Sequence, residues 1–137
     1  MAYWLFKSEP GSYSWERLVK DKRTHWNGVR NYQANNNMKA MKKGDRGFFY
    51  HSVDEKDIVG VVEVVKEHYP DDSDATGRFG MVDVKAVMPV KNRVSLAAIK
   101  AEPGLEKLAL VRQGRLSVVP VSAAEWKILC RMAGITA

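Results

Sequence analysis

A chain of 137 residues suits one packed domain and is short for two. It is 45% hydrophobic and 28% charged, too apolar for a disordered chain, and no apolar run approaches the ~18 residues that cross a bilayer. Lys and Arg outnumber Asp and Glu by 22 to 16, and the excess is concentrated in residues 1–50, which hold 10 basic and 4 acidic side chains. A local positive field of this kind is either a solvated lysine-rich face or a surface that a polyanion such as nucleic acid senses.

The N-terminus, MAYWLFKSEP, lacks a secretory pattern, so the expected location is the cytoplasm, or the nucleus in a eukaryote. Its aromatic run Tyr3-Trp4-Leu5-Phe6 reads as a strand that Pro10-Gly11 ends. Ser14 can cap a short helix burying Trp15, Leu18 and Val19. From Asn31 to Met41, Ala34, Met38 and Met41 recur at helical spacing, and Gly44 follows the end. Gly47–His51 and the valine-rich stretch Ile58–Val65 read as strands, with Gly60 a bulge or a close approach. The polar run Asp71–Gly77 reads as a surface loop, and Met81–Val87 alternates like a half-buried strand. Ser95 can cap a helix carrying Leu96 and Ile99 before Pro103. Leu116–Val121 reads as a last strand with Pro120 at its end or on an edge. Ser122-Ala123-Ala124-Glu125 is a capping box, Val121 and Trp126 form its hydrophobic staple, and Gly134 ends the helix. The single cysteine, Cys130, lies on that helix as a small core residue. Strands and helices in this order do not follow βαβ alternation. The expectation is an α+β fold: a small, curved, mostly antiparallel sheet or partial barrel of five or six strands, flanked by helices, in one domain spanning 1–137.

No P-loop, G-x-S-x-G, H-E-x-x-H or dinucleotide fingerprint is present, and His25, His51 and His68 have no metal-ligand spacing. No catalytic residue, metal or cofactor is expected. The segment His25-Trp26-Asn27-Gly28-Val29-Arg30-Asn31-Tyr32-Gln33-Ala34-Asn35-Asn36-Asn37 stands out. Its amides pair a donor with an acceptor, matching a base edge, and its aromatics offer stacking faces worth ~1–3 kcal/mol per base. Arg30 can hold a phosphate or stack. The same residues also suit a plain structural role, with Trp26 and Tyr32 as core anchors, Asn27 and Asn31 as caps and the remaining asparagines solvated. Lys7-Ser8-Glu9-Pro10 and Tyr50-His51-Ser52 close strands with polar groups, and Arg112-Gln113-Gly114-Arg115 carries two arginines suited to phosphates.

Together these segments resemble the EVE domain family. The likeness lies in Tyr3–Pro10, Trp26–Ala34, Phe48–Ser52, Val64–Asp71, Met81–Val84 and Arg112–Ser117, in the right order along nearly the whole chain. The resemblance implies a PUA-like fold, a small mixed β-barrel with helices, shared with YTH and SET-and-RING-associated domains that take a modified base into a pocket. It implies a base pocket of Lys7, Ser8, Glu9, Trp26, Gly28, Val29, Arg30, Asn31, Tyr32, Tyr50, His51 and Ser52. Trp26 would be the stacking wall, and Asn31 with Ser8 the edge readers. Arg30, Arg112 and Arg115 would take backbone phosphates. Two positions depart from the family pattern: Asn35 stands where arginine is common, and Gly114 where serine is.

The leading expectation is a non-enzymatic module that reads a modified nucleobase, a cytosine derivative in DNA or else in RNA. The alternatives are an enzyme on a modified base or nucleotide, using Glu9 or His51 as acid/base, and a module binding a small anion or a protein through the same cleft.

Overall fold

The computed structural model describes residues 1–137. Strand β1 (Tyr3–Ser8) buries Trp4, Leu5 and Phe6 in succession, so both of its faces are covered. That explains a continuous apolar run in place of alternation. Ser14 caps α1 (Trp15–Asp21) by accepting from the Arg17 N–H; Trp15 and Leu18 are buried. Val19 is 49% exposed, which corrects its expected burial: seven residues of helix turn only one narrow stripe inward. Strand β2 (Arg23–His25) follows at once, and its three polar residues gave no sequence signal.

Asn31 caps α2 (Tyr32–Ala40) by accepting from the Ala34 N–H at 2.9 Å. Strand β3 (Arg46–His51) is buried from Gly47 onward. Strands β4 (Asp57–Pro70) and β5 (Gly80–Ser95) run far beyond the apolar stretches that signalled them, because their outer parts are polar and kinked by register shifts. One shift lies between Ile58 and Gly60, and a Cβ on Gly60 would meet the Trp15 ring at 2.5 Å. Both readings of that glycine hold.

After β5 come α3 (Leu96–Ala101), capped by Ser95, the short α4 (Ala109–Arg112), which the sequence did not reveal, β6 (Val118–Val121) and α5 (Ala123–Ala133). The capping box at Ser122 and Glu125 is formed at both bonds, and Gly134 takes the left-handed conformation at φ 71°. Cys130 is buried, and burial pushes its thiol up.

The six strands form one mixed sheet in the order β2-β5-β4-β3-β1-β6. All neighbours are antiparallel except β1 and β3, which are parallel. Outermost strands β2 and β6 have no pairing with each other, so the sheet is mixed α+β as expected while closure into a barrel is not among its pairings. Pro120 sits on the edge strand β6, where its missing N–H costs no ladder bond. No helix is long and apolar enough to cross a membrane.

Candidate functional site

Parallel pairing of β1 with β3 brings their C-terminal ends, Ser8 and His51, side by side, and β2 ends nearby. Strand ends in one place leave side chains unpaired around an opening. Here they surround a cavity of about 500 Å³, well inside the ~300–1,000 Å³ range of ligand sites.

Lys7, Ser8 and Glu9 line it from the end of β1, and Ser12 and Tyr13 from the turn before α1. Thr24, His25, Trp26, Asn27, Gly28, Val29 and Arg30 line it from β2 and the following loop, and Ser117 from the approach to β6. Ten of these thirteen side chains or backbones are polar, charged or glycine.

Trp26 is 9% exposed, and its ring meets Phe6 edge-on at 5.1 Å and Phe49 at 5.8 Å. Both phenylalanines are fully buried, so the indole is braced from the core while one part of it reaches the cavity. Bracing of this kind removes the rotamer entropy that a stacking ligand would otherwise have to overcome. Ser8 donates its hydroxyl hydrogen to the Tyr13 carbonyl at 2.6 Å, leaving only lone pairs for a ligand. Lys7 Nζ donates to the Gly114 carbonyl at 2.8 Å, which leaves two further N–H donors. Burial pulls its ammonium below the usual lysine range.

The loop after Trp26 is held by Asp71, a 3% exposed carboxylate that the sequence read as part of an ordinary surface turn. Its Oδ2 accepts from the Gly28 N–H at 2.8 Å and from Arg30 at 3.4 Å, and its Oδ1 from the Ser73 N–H and hydroxyl. Burial alone would raise this carboxyl, but the Ser73, Gly28 and Arg30 donors outweigh it and hold it below its usual range. The sequence signal was Asp71-x-Ser73, an Asx-turn pair. Arg30 also donates to the Val29 carbonyl and the Ser73 hydroxyl, and its side chain is 41% exposed. Its guanidinium thus shapes the loop first.

Seven of the twelve residues expected in the pocket line the cavity: Lys7, Ser8, Glu9, Trp26, Gly28, Val29 and Arg30. Five do not. Asn31 spends its Oδ1 on the α2 cap, and Tyr32 is 58% exposed against Phe79. Tyr50 is 3% exposed, and burial together with Asp57 pushes its phenol up to about 12. His51, 1% exposed, accepts from the Trp15 N–H through Nε2 and donates through Nδ1 to Glu55. Ser52 donates its N–H to the Ser8 carbonyl. His51 and Ser52 therefore support the wall from behind by fixing the Ser8–Trp15 segment. Glu55 and Asp57 beside His51 are spanned by Arg93, at 2.9 and 3.6 Å, so a cation already occupies that acidic cluster.

Arg112 and Arg115 are exposed and lie outside the lining, and Arg112 Nε donates to the Glu106 carbonyl. Their segment borders the cavity through Gly114 and Ser117. Asn35 is 1% exposed, and its Oδ1 accepts from the Gly80 N–H and bonds to His68. At this position an amide ties α2 to β5 inside the protein, in place of a solvated or phosphate-binding side chain. Ser12, Tyr13, Thr24, His25, Asn27 and Ser117 were not anticipated as lining residues. Chain distance hid Ser117, whereas Ser12 and Tyr13 closely follow the Lys7–Pro10 segment and His25 and Asn27 flank Trp26, so these were legible as neighbours.

Residues 2–132 match the EVE domain. Thymocyte nuclear protein 1 of Gallus gallus is 38% identical over 158 residues, covering 90% of this chain; the chain spans 65% of that relative's length. The NMR structure of Rpa0253 from Rhodopseudomonas palustris is 51% identical, with a TM-score of 0.92 over 98% of this chain and 94% of that one. Human THYN1, crystallised in complex with 5-methylcytosine-containing DNA, is 32% identical, with a TM-score of 0.89 over 100% of both chains. On a match of this extent, the chain belongs to the EVE domain family.

Proposed function

We propose that this protein is a non-catalytic reader that takes a single modified base, a cytosine derivative in DNA, into the cavity beside Trp26. The observation that carries the reading is that cavity: an indole braced by Phe6 and Phe49 and surrounded by the hydrogen-bonding groups of Lys7, Ser8 and His25. A relative of the same fold bound to 5-methylcytosine DNA supports it. Extruding a base from a duplex costs a few kcal/mol, and stacking on an aromatic face recovers ~1–3 kcal/mol of it. Edge hydrogen bonds to the lining groups supply more. The positive excess of residues 1–50, which include most of the lining, favours the approach of a phosphate backbone.

Fluorescence anisotropy with matched oligonucleotides carrying cytosine, 5-methylcytosine or 5-hydroxymethylcytosine at one position tests this. The expected result is tighter binding of one modified form by about tenfold, on top of a salt-dependent background common to all. Mass analysis of the recovered oligonucleotides is expected to show no product. Equal affinity for all three bases, or turnover of any of them, would contradict the reading.

A further inference from the structure

His25 stands at the cavity with one ring nitrogen engaged and the other open. Its Nδ1 lies 2.9 Å from Asp83 Oδ1 and 2.9 Å from the Tyr69 oxygen. Asp83 is 2% exposed and also accepts from Arg23 Nη2 at 2.8 Å and from the Tyr69 hydroxyl. Burial alone would raise the Asp83 carboxyl, but the donors from Tyr69, His25 and Arg23 outweigh it and keep it ionised. Tyr69 has one hydroxyl hydrogen and gives it to Asp83, so its oxygen turns lone pairs toward the imidazole. Burial and then Asp83 push that phenol up to about 12, so the hydrogen stays in place. Two lone-pair-bearing oxygens facing one ring nitrogen require that nitrogen to carry a hydrogen. Neutral His25 is therefore the Nδ1–H tautomer, and its Nε2, which makes no hydrogen bond within the protein, is an acceptor.

The other engaged groups complete a pattern. Ser8, its hydrogen spent on Tyr13, is a second acceptor, while Lys7 is a donor only. Cytosine presents an amino donor at C4 and acceptors at N3 and O2. Thymine, which carries the same 5-methyl group as 5-methylcytosine, presents an oxygen acceptor at that C4 position. An acceptor held by a buried carboxylate cannot turn over to suit it.

We propose that His25 is the specificity-determining residue of the cavity, its Nε2 accepting from the exocyclic amino group of a cytosine-class base and rejecting thymine. The inference rests on the cavity being a base pocket and goes beyond it by assigning the discriminating atom. It also places the buried Asp83 and Tyr69 as positioning residues, since they act on the base only by fixing the imidazole tautomer.

The test compares single-stranded oligonucleotides with 5-methylcytosine or thymine at one position, titrated under identical buffer and salt. Wild type is expected to favour 5-methylcytosine by at least about tenfold. His25→Phe keeps a flat ring without the nitrogen and is expected to cut the ratio to about twofold, with thymine affinity retained or improved. His25→Gln restores an acceptor on a freely rotating amide and is expected to recover part of the ratio. An unchanged ratio in His25→Phe, or parallel loss for both bases in both variants, would overturn the proposal, because a merely structural role weakens both ligands alike. Wild type binding both bases equally would overturn it while leaving base binding intact. Binding of neither would remove the base-pocket reading and the inference together.

Discussion

Trp26→Ala is expected to lower stability by about 3–5 kcal/mol and to weaken binding of the modified oligonucleotide about 10- to 100-fold. The stability loss follows from deleting an aromatic ring that is 9% exposed and packed edge-on against Phe6 and Phe49. The binding loss follows from removing the flat face on which, in the proposed function, a base stacks. These two consequences separate in Trp26→Phe, which keeps an aromatic face braced by the same neighbours. That variant is expected to bind within a few-fold of wild type while its melting temperature still falls. Lys42→Ala changes an exposed side chain outside the cavity and is expected to alter affinity less than about threefold. If Trp26→Ala, confirmed folded by circular dichroism, binds as Lys42→Ala does, the indole takes no part in recognition.

The second large effect lies at Asp71. Asp71→Ala leaves the Gly28 N–H and the Ser73 N–H without their acceptor and removes one of the acceptors of Arg30, and the expected cost is about 3 kcal/mol in stability. It also frees the loop after Trp26, whose Gly28 and Arg30 line the cavity, so binding is expected to fall at least about tenfold through lost preorganisation. Faster hydrogen exchange at the Gly28 amide is the local signature. Acid should act in the same direction. The folded carboxyl of Asp71 lies below its unfolded value of 3.8, and so do those of Asp83 and Asp74, the last at about 2. Groups depressed in this way contribute fully above about pH 4, and their contribution is lost as pH falls through their folded values. Thermal unfolding followed from pH 5 down to 2 is therefore expected to show a steep decline below about 4, a decline shallower in Asp71→Ala. A variant whose pH profile matches wild type would show that Asp71 carries none of this linkage.

Elements with local chemical signals were legible in the sequence. Ser14, Ser95 and Ser122 cap the helices they were expected to cap, because a cap depends on a side chain reaching a backbone N–H two or three residues away, whereas Asn31, expected as an edge reader, follows its other reading and caps α2. The apolar centres of β1, β3, β4 and β5 were equally plain. The polar extensions of β4 and β5 were not, and neither was β2, because those segments are strands only by virtue of their ladder partners. The site divides along the same line. Lys7, Ser8, Trp26 and Arg30 were visible as chemistry-bearing groups on strand ends and turns. Asp71 and Asp83 were not, since nothing in their own neighbourhoods tells of the loop and the imidazole they hold from 40 or more residues away. His51 and Ser52 looked like pocket residues because they close a strand, yet the parallel register turns them into the support of the wall.

The base pocket beside Trp26 is tested most directly by the map of amide shift changes when an oligonucleotide with a single modified cytosine is titrated into ¹⁵N-labelled protein. Changes concentrated at Lys7–Glu9, Tyr13, Thr24–Arg30 and Ser117, and needing about tenfold more of the unmodified oligonucleotide to appear, are the predicted result. Changes centred on α5, on the Arg93 cluster or on the sheet away from the cavity, or the same changes at the same concentrations of both oligonucleotides, would contradict it.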